Sequence, residues 1–185
     1  MKHTLLASAL VGAASLAHGG EFALHSPDIK ANAPIPQSFE FDGFGCNGRN
    51  MSPALKWSGA PKGTKAFAVT VYDPDAPTGS GWWHWVVINI PADVHELAPN
   101  AGALGGANLP KGASQVRIDY GMAAWGGVCP PPGDAPHRYI FTVYALKDKI
   151  EVPADATAAL AGFMIHANSL GKASFTAKYG RPKGA

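Results

Sequence analysis

Two short segments hold most of the side chains that could do chemistry. The first is Asp73-Pro74-Asp75, which follows an apolar run and is itself followed by His84. A residue before proline is pushed into extended conformations, and Pro74 fixes its own φ at about −65°. We therefore expect a stiff segment that sends both carboxylates to one side, where they could bind a ligand or act in acid–base chemistry. In isolation, the same residues are also typical of an ordinary turn.

The second segment contains three consecutive prolines, Pro130–Pro132, and leads to His137. Prolines cannot donate backbone hydrogen bonds or continue a strand, so the run predicts a rigid loop. Free backbone N–H groups at residues 127–129 could form a small anion-binding concavity. His137 would then stand at the start of the next strand, although a lone His there is more often a structural residue. Each segment by itself leaves both interpretations open.

Apolar, β-branched runs predict the strands that would position these segments. Their lengths, and the Gly and Pro residues that bound them, favour buried strands over helices. Most are apolar on both faces, as expected for strands that lie between a second sheet and covering loops. The predicted strands are Ser38–Phe41, Ala66–Tyr72, Trp85–Ile90 and Tyr139–Leu146.

Helical spacing of apolar residues predicts one helix over Asp155–Asn168, after Pro153 and before the stop signal Gly171. A shorter helix is predicted over Ala92–Leu97. The 22 glycines and 16 prolines among 185 residues indicate many turns, which argues against a helix bundle. The expected fold is a β-sandwich with one or two peripheral helices.

The beginning of the chain is typical of a secretory leader. Lys2 precedes the apolar run Thr4–Ala17, which ends in small residues that a signal peptidase could read. The run is shorter than the ~20 residues needed to span a bilayer, so a membrane anchor is the weaker alternative. We predict a signal peptide over residues 1–19 and a single domain over residues 20–185, exported to the periplasm or secreted, with no transmembrane anchor.

Charge and cysteine content exclude several function classes. The formal net charge is +2 and there is no basic run, which argues against a nucleic-acid partner and a polybasic membrane anchor. The two cysteines, Cys46 and Cys129, could form one disulfide in an oxidising compartment, or could remain two reduced thiols. They are too few for a cysteine zinc site.

Together, the segments resemble the phosphatidylethanolamine-binding protein family, in its bacterial Raf-kinase-inhibitor-like branch. The resemblance covers about Ser26 to Arg181, nearly the whole predicted domain. It is carried by Asp73-Pro74-Asp75-Ala76-Pro77 before Trp83-His84-Trp85, by Cys129-Pro130-Pro131 and Gly133-Asp134 before Pro136-His137-Arg138-Tyr139, by the early stretch Cys46 to Trp57, and by the ending Leu170-Gly171-Lys172 to Tyr179-Gly180-Arg181.

The resemblance implies a two-sheet Greek-key β-sandwich with a C-terminal helix, and a small pocket for phosphate-like anions or phosphorylated head groups. It implies no metal and no other cofactor. Two departures from the branch pattern, Trp125 and Val128, border the expected pocket and leave the size of its ligand open. Carried over residue by residue, the ligand-binding wall consists of Asp73, Asp75, His84, His137 and the 127–131 loop with Gly127, Cys129 and Pro131, with Tyr139 and Ser52 at or just behind it.

Two carboxylates beside an anion would repel it. We therefore expect the Asp pair to hold His84 and His137, which would take up protons when the anion binds. This hypothesis predicts tighter binding at about pH 5.5 than at about pH 8.

The function that the resemblance implies is binding or regulation rather than catalysis. Its partners would be a small phosphorylated or anionic ligand and a protein target such as a protease or kinase, with monomer and homodimer both open; a Raf-like kinase does not fit an exported chain. One alternative is a serine protease inhibitor that acts through a surface loop. Another is a hydrolase that uses the Asp and His side chains for acid–base or metal-assisted chemistry. The enzyme is the weaker alternative because no G-x-S-x-G nucleophile elbow occurs.

Overall fold

The computed structural model describes residues 20–184, so the predicted leader lies outside the described residues. The chain forms a mainly β fold with one α-helix in this range, which confirms the predicted fold class. A five-stranded antiparallel sheet has the strand order β10-β9-β5-β6-β8, and a three-stranded sheet has the order β1-β4-β7. The strands are β1 (Ala23–His25), β2 (Asp42–Gly43), β3 (Cys46–Asn47), β4 (Leu55–Ser58), β5 (Ala66–Asp73), β6 (Trp82–Pro91), β7 (Glu96–Leu97), β8 (Ser114–Gln115), β9 (His137–Leu146) and β10 (Ser169–Tyr179).

The central strands of the larger sheet are buried on both faces, as their apolar sequences predict. β5 lies between β6 and β9, and seven of its eight residues are buried. Alternate residues point to opposite faces of a strand. Phe67, Val69 and Val71 therefore join a cluster shared with the three-stranded sheet, which includes Leu55 and Trp57.

The opposite face of the larger sheet carries a second hydrophobic cluster. Ala66 and Ala68 of β5 pack there with Ile165 of α1, which spans Ala158–Asn168. The helix begins after Thr157, whose hydroxyl accepts a hydrogen bond from the Leu160 backbone N–H at 3.2 Å. The start is therefore three residues later than predicted.

Two short elements were predicted incorrectly. Ser38–Phe41 is not a strand, because the chain turns after Pro36 into a single 3-10 turn at Gln37–Phe39. Ala92–Leu97 is not a helix: the Val94 N–H closes a turn on the Pro91 carbonyl, and the next residues form β7 beside β4. Both segments are too short for apolar periodicity to distinguish a helix from a strand. In the second segment, burial of Leu97 opposite Leu55 favours the strand.

Within residues 20–184, no helix has the length and apolar character needed to cross a membrane.

Candidate functional site

The candidate site lies where three neighbouring strands of the larger sheet meet at one edge. Asp73 is the last residue of β5, His84 lies near the start of β6, and His137 is the first residue of β9. β5 pairs antiparallel with both other strands, so its end lies beside both of their beginnings. The sheet thus brings together residues that are up to 64 positions apart.

A cavity of about 340 Å³ opens between these strand ends and the proline loop. Its walls are formed by the strand residues, by the turn after β5, by the proline loop and by residues from three more distant segments. The lining residues are Phe44, Asp73, Ala76, Pro77, Thr78, Trp82, His84, Tyr120, Cys129, Pro130, Pro131, Pro132, His137, Tyr139 and Arg181.

Asp73 and His137 form a buried pair on one wall. The His137 Nδ1 lies 2.8 Å from the Asp73 Oδ2, and both side chains are almost wholly buried. The Asp73 Oδ1 accepts a hydrogen bond from the Asp75 backbone N–H, also at 2.8 Å. The Nε2 of His137 faces outward, 3.4 Å from the Asp134 Oδ2. The Asp73 carboxylate therefore has a donor on each oxygen, which reduces its repulsion of an anion in the cavity.

His84 is held by backbone carbonyls and not by an aspartate, so that part of the prediction is wrong. Its Nδ1 lies 2.8 Å from the Gly126 carbonyl oxygen and 3.1 Å from that of Gly127. Carbonyl oxygens only accept, so the proton of the neutral ring must sit on Nδ1. Burial lowers the pKa of His84 below its usual value. The neutral ring leaves Nε2 as an acceptor without a proton.

The cavity walls carry a concentration of unpaired buried polar atoms. Five buried side-chain polar atoms have no hydrogen-bond partner in the described part of the chain, and three of them belong to residues that line this cavity. Those three are the Trp82 Nε1, the His84 Nε2 and the Tyr139 hydroxyl. Buried polar groups are normally hydrogen-bonded, because leaving one unpaired costs about 1–3 kcal/mol.

Two tyrosines of the cavity stay protonated at ordinary pH. Burial raises the pKa of Tyr139 and of Tyr120 well above the usual range for tyrosine. Tyr120 donates its hydroxyl hydrogen to the Gly127 carbonyl at 3.0 Å. The Cys129 backbone N–H approaches the Tyr139 oxygen without meeting hydrogen-bond geometry. Tyr139 can therefore donate to a bound acceptor.

Asp75 does not line the cavity, contrary to prediction. Its Oδ1 accepts from the Arg138 Nη2 at 2.7 Å, and its Oδ2 accepts from the Arg138 Nε at 2.9 Å and backbone N–H at 2.8 Å. Hydrogen bonding from Arg138 holds the pKa of Asp75 down at about 2. The Asp-Pro-Asp segment thus sends its two carboxylates in different directions, because Asp73 ends a strand while Asp75 belongs to the turn that follows.

The predicted anion concavity of backbone amides is largely committed to other partners. The Gly127 N–H donates to the Asn50 Oδ1 at 2.8 Å, and the Val128 N–H donates to the Phe39 carbonyl at 3.2 Å. Gly127 therefore lies behind His84 rather than in the cavity wall. Trp125 does not border the cavity either, since it is buried in the core against Trp85.

Ser52 also lies outside the cavity wall. Its hydroxyl accepts a hydrogen bond from the Gly102 backbone N–H at 2.8 Å in the protein interior. The remaining predicted residues, Cys129 and Pro131, do line the cavity.

The structure joins Cys46 to Cys129 through a disulfide. This bond connects the β2–β3 hairpin to the proline loop, so it ties together two walls of the cavity. Residues 42–47 of this hairpin are called the rim hairpin below. A second tie comes from Arg181, whose guanidinium donates to the Gly45 carbonyl and lies 3.7 Å from the Glu40 carboxylate.

Sequence reasoning did not assign Trp82 and Arg181 to the site. For Trp82 a signal existed, because residues i and i+2 of a strand share a face and His84 had already been selected. For Arg181 no local signal existed, since it follows the end of β10 and reaches the cavity only through the folded chain. Among residues 20–184, no group of three or more His, Cys, Asp or Glu side chains has the arrangement to hold a metal ion.

Comparison with known proteins gives several extensive matches. A profile described as phosphatidylethanolamine-binding protein matches residues 25–180. The UPF0098 protein YbcL of Escherichia coli is 51% identical over 180 residues, which cover 97% of this chain and 98% of YbcL. E. coli YbhB is 48% identical, with 84% of this chain and 98% of YbhB covered. A relative from Mycobacterium tuberculosis whose name describes a lipoprotein, LppC, is 35% identical, with 80% of this chain and 67% of LppC covered.

The crystal structure of E. coli YbcL, described as a new member of the mammalian PEBP family, superimposes with a TM-score of 0.85 at 54% identity. The superposition covers 87% of this chain and 99% of that one. The profile match and the superposition each cover most of the chain. The chain therefore belongs to the phosphatidylethanolamine-binding protein family.

Proposed function

We propose that this protein is an exported binding protein whose cavity takes a small oxyanion, such as a phosphorylated head group. The observation that carries the proposal is the set of three unpaired buried polar atoms, the Trp82 Nε1, the His84 Nε2 and the Tyr139 hydroxyl. A ligand that pairs all three recovers the free energy that their desolvation costs.

The chemistry of the walls favours an oxyanion over a cation. The Trp82 N–H can only donate, and the protonated Tyr139 hydroxyl can donate. Both oxygens of Asp73 already accept hydrogen bonds, from His137 and from the Asp75 backbone. Arg181 adds a guanidinium to the lining. An oxyanion offers several acceptor lone pairs and can carry the hydrogen that His84 Nε2 lacks.

Binding rather than catalysis fits the state of the candidate nucleophiles. The sulfur of Cys129 is in the disulfide, and Ser52 lies outside the cavity with its hydroxyl bonded to the Gly102 amide. Covalent catalysis requires a nucleophile within hydrogen-bond reach of a base, and neither residue offers one. Phosphomonoester turnover by the purified protein is the check, and we expect none above background.

Export is supported by two observations independent of the leader. A disulfide persists in oxidising compartments outside the cytosol, and Cys46–Cys129 is such a bond. The mycobacterial relative LppC has a name that describes a lipoprotein.

The test is a calorimetric titration of phosphate and O-phosphoethanolamine at pH 6 into the wild-type protein and two variants. Trp82→Phe removes the unpaired N–H and keeps an aromatic ring, so we expect affinity to fall about tenfold. Trp83→Phe is the matched control. Its ring is the next along β6 and packs on the other side of the sheet, against Tyr72 and Gly162, so affinity should stay at the wild-type value. The proposal fails if the wild-type protein binds neither compound, or if Trp82→Phe binds them with the same affinity as Trp83→Phe.

A further inference from the structure

Three aromatic rings with nearly parallel planes cluster beside the cavity. Phe41 and Tyr120 lie with centroids 4.2 Å apart, and Phe44 lies 5.8 Å from Phe41 and 5.7 Å from Tyr120. The three planes are within 25° of parallel. We call these three residues the aromatic shelf. Phe44 is the outermost ring and remains 76% exposed.

Exposure of Phe44 is maintained against two costs. A large apolar side chain in water forgoes the gain of burial, and Phe44 has φ 52°, in the left-handed region that bulky residues rarely adopt. Such local strain persists only where the surroundings impose it, and it is concentrated at ligand sites. Two bonds from the surrounding structure hold the residues that follow Phe44 in place. Cys46 is bonded to Cys129, and the Gly45 carbonyl accepts from Arg181.

The aromatic shelf is continuous with the polar part of the cavity. Phe44 and Tyr120 line the same space as Trp82, His84 and Tyr139. That space, at about 340 Å³, lies at the lower end of the range for pockets that hold whole small molecules and exceeds what a bare phosphate ion occupies. The polar atoms are therefore positioned for the head of a ligand, and the shelf for the group attached to it.

We propose that the ligand is a free small molecule whose oxyanion carries a flat aromatic substituent, which stacks on the exposed face of Phe44. This inference rests on the proposed oxyanion pocket and adds the chemical class of the substituent. Aromatic rings gain from stacking beyond their loss of contact with water, and a rigid flat group loses little entropy when it is placed.

The test compares phenyl phosphate with methyl phosphate by calorimetry at pH 6, since both carry the same head group. In the wild-type protein we expect phenyl phosphate to bind roughly tenfold more tightly. Phe44→Ala should abolish this preference, so that the variant binds the two phosphates with nearly equal affinity. Phe44→Leu, which keeps apolar bulk without a flat face, should also lose most of it. Leu104→Ala is the matched control, because Leu104 is 75% exposed and lies outside this cavity, so the preference should remain.

The outcomes separate this inference from the proposed function. Binding of methyl phosphate with no preference for phenyl phosphate, or a preference that survives Phe44→Ala, overturns the aromatic substituent and leaves the oxyanion pocket intact. A preference that survives in Phe44→Leu but not in Phe44→Ala overturns stacking in favour of general apolar contact. If neither phosphate binds, the oxyanion pocket itself is refuted. The melting temperature of each variant, measured alongside, confirms that it is folded.

Discussion

At the scale of single residues, the proposed binding role of the cavity comes at a cost to the stability of the free protein. The Tyr139 hydroxyl is fully buried and has no hydrogen-bond partner among residues 20–184, although phenylalanine would fill nearly the same volume. A residue that costs stability in the free protein is expected where a ligand supplies the missing partner. Tyr139 is therefore better explained by binding than by packing.

Tyr139→Phe should stabilise the free protein by about 1 kcal/mol, because it removes a buried group with an unmet hydrogen bond. It should also weaken oxyanion binding about tenfold. Urea unfolding without ligand and calorimetry with phosphate measure the two effects. Tyr179→Phe is a useful control, since Tyr179 lies outside the cavity lining and burial raises its pKa to only about 12. A destabilised Tyr139→Phe protein would contradict the stability half of this prediction, and unchanged affinity would contradict the other half.

His84 links both stability and binding to pH. Burial lowers its pKa in the folded protein, so in acid the unfolded chain binds a proton that the folded protein does not. The contribution of His84 to stability is therefore complete above the unfolded pKa of about 6.5 and declines as pH falls below it, by at most about 1.4 kcal/mol per pH unit. His84→Gln should lack this decline. The stability of the wild-type protein relative to the variant should therefore be lower at pH 5 than at pH 7.

Anion binding should show the opposite dependence on pH. Nε2 of neutral His84 has no hydrogen to offer, so a fully ionised anion is bound best when the ring takes up one proton. Sulfate does not titrate between pH 5 and 8, and its affinity should rise towards pH 5 in the wild-type protein. In His84→Gln the affinity should be lower and nearly independent of pH. Wild-type affinity that is constant from pH 5 to 8 would rule out proton uptake by His84.

At the scale of elements, the sequence was informative where runs are long and apolar. β5, β6 and β9 were predicted within a few residues because both of their faces are buried, which leaves an unbroken apolar signal. Gln37–Phe39 and β7 were not, since in such short segments the turn chemistry of Pro36 and Pro91 and the pairing with a distant strand outweigh local pattern. The prediction that Asp75 lines the cavity was wrong for a related reason, because the direction of its side chain is set by hydrogen bonds from Arg138 of β9.

The rim hairpin depends on its disulfide more than on its own pairing. β2 and β3 are two residues each, which is far too short for a hairpin to be stable alone. Replacing both Cys46 and Cys129 with serine removes a link across 83 residues of chain, and the lost constraint on the unfolded chain corresponds to about 4.5 kcal/mol. Urea unfolding should show this loss, with wild-type protein under reducing conditions as the control for the serine side chains.

At the scale of the whole molecule, the site exists only because the complete fold assembles it. Asp73, His84 and His137 come from three strands of one sheet, while Arg181 arrives from beyond the last strand. The motif residues at strand ends could be placed from sequence, since antiparallel neighbours bring such ends together. The aromatic shelf and Arg181 could not, because nothing local to residues 41–45 or 181 indicates a partner across the cavity.

The predicted leader and the disulfide together make the proposed export testable through the folded protein. If residues 1–19 direct export and are removed, the full chain expressed in E. coli should be recovered from the periplasm at the mass of a chain that begins near Gly20. It should then have no free thiol.

The same chain without residues 1–19 should remain in the reducing cytosol with both cysteines free. It should unfold at lower urea and bind phosphate more weakly until it is oxidised, because the rim hairpin carries Phe44 and borders the cavity. Mass spectrometry after thiol alkylation reports whether the leader has been removed and whether the two cysteines are free or bonded. A full chain retained in the cytosol would contradict the proposed export. A leaderless chain that is as stable reduced as oxidised would contradict the proposed dependence of the rim hairpin on the disulfide.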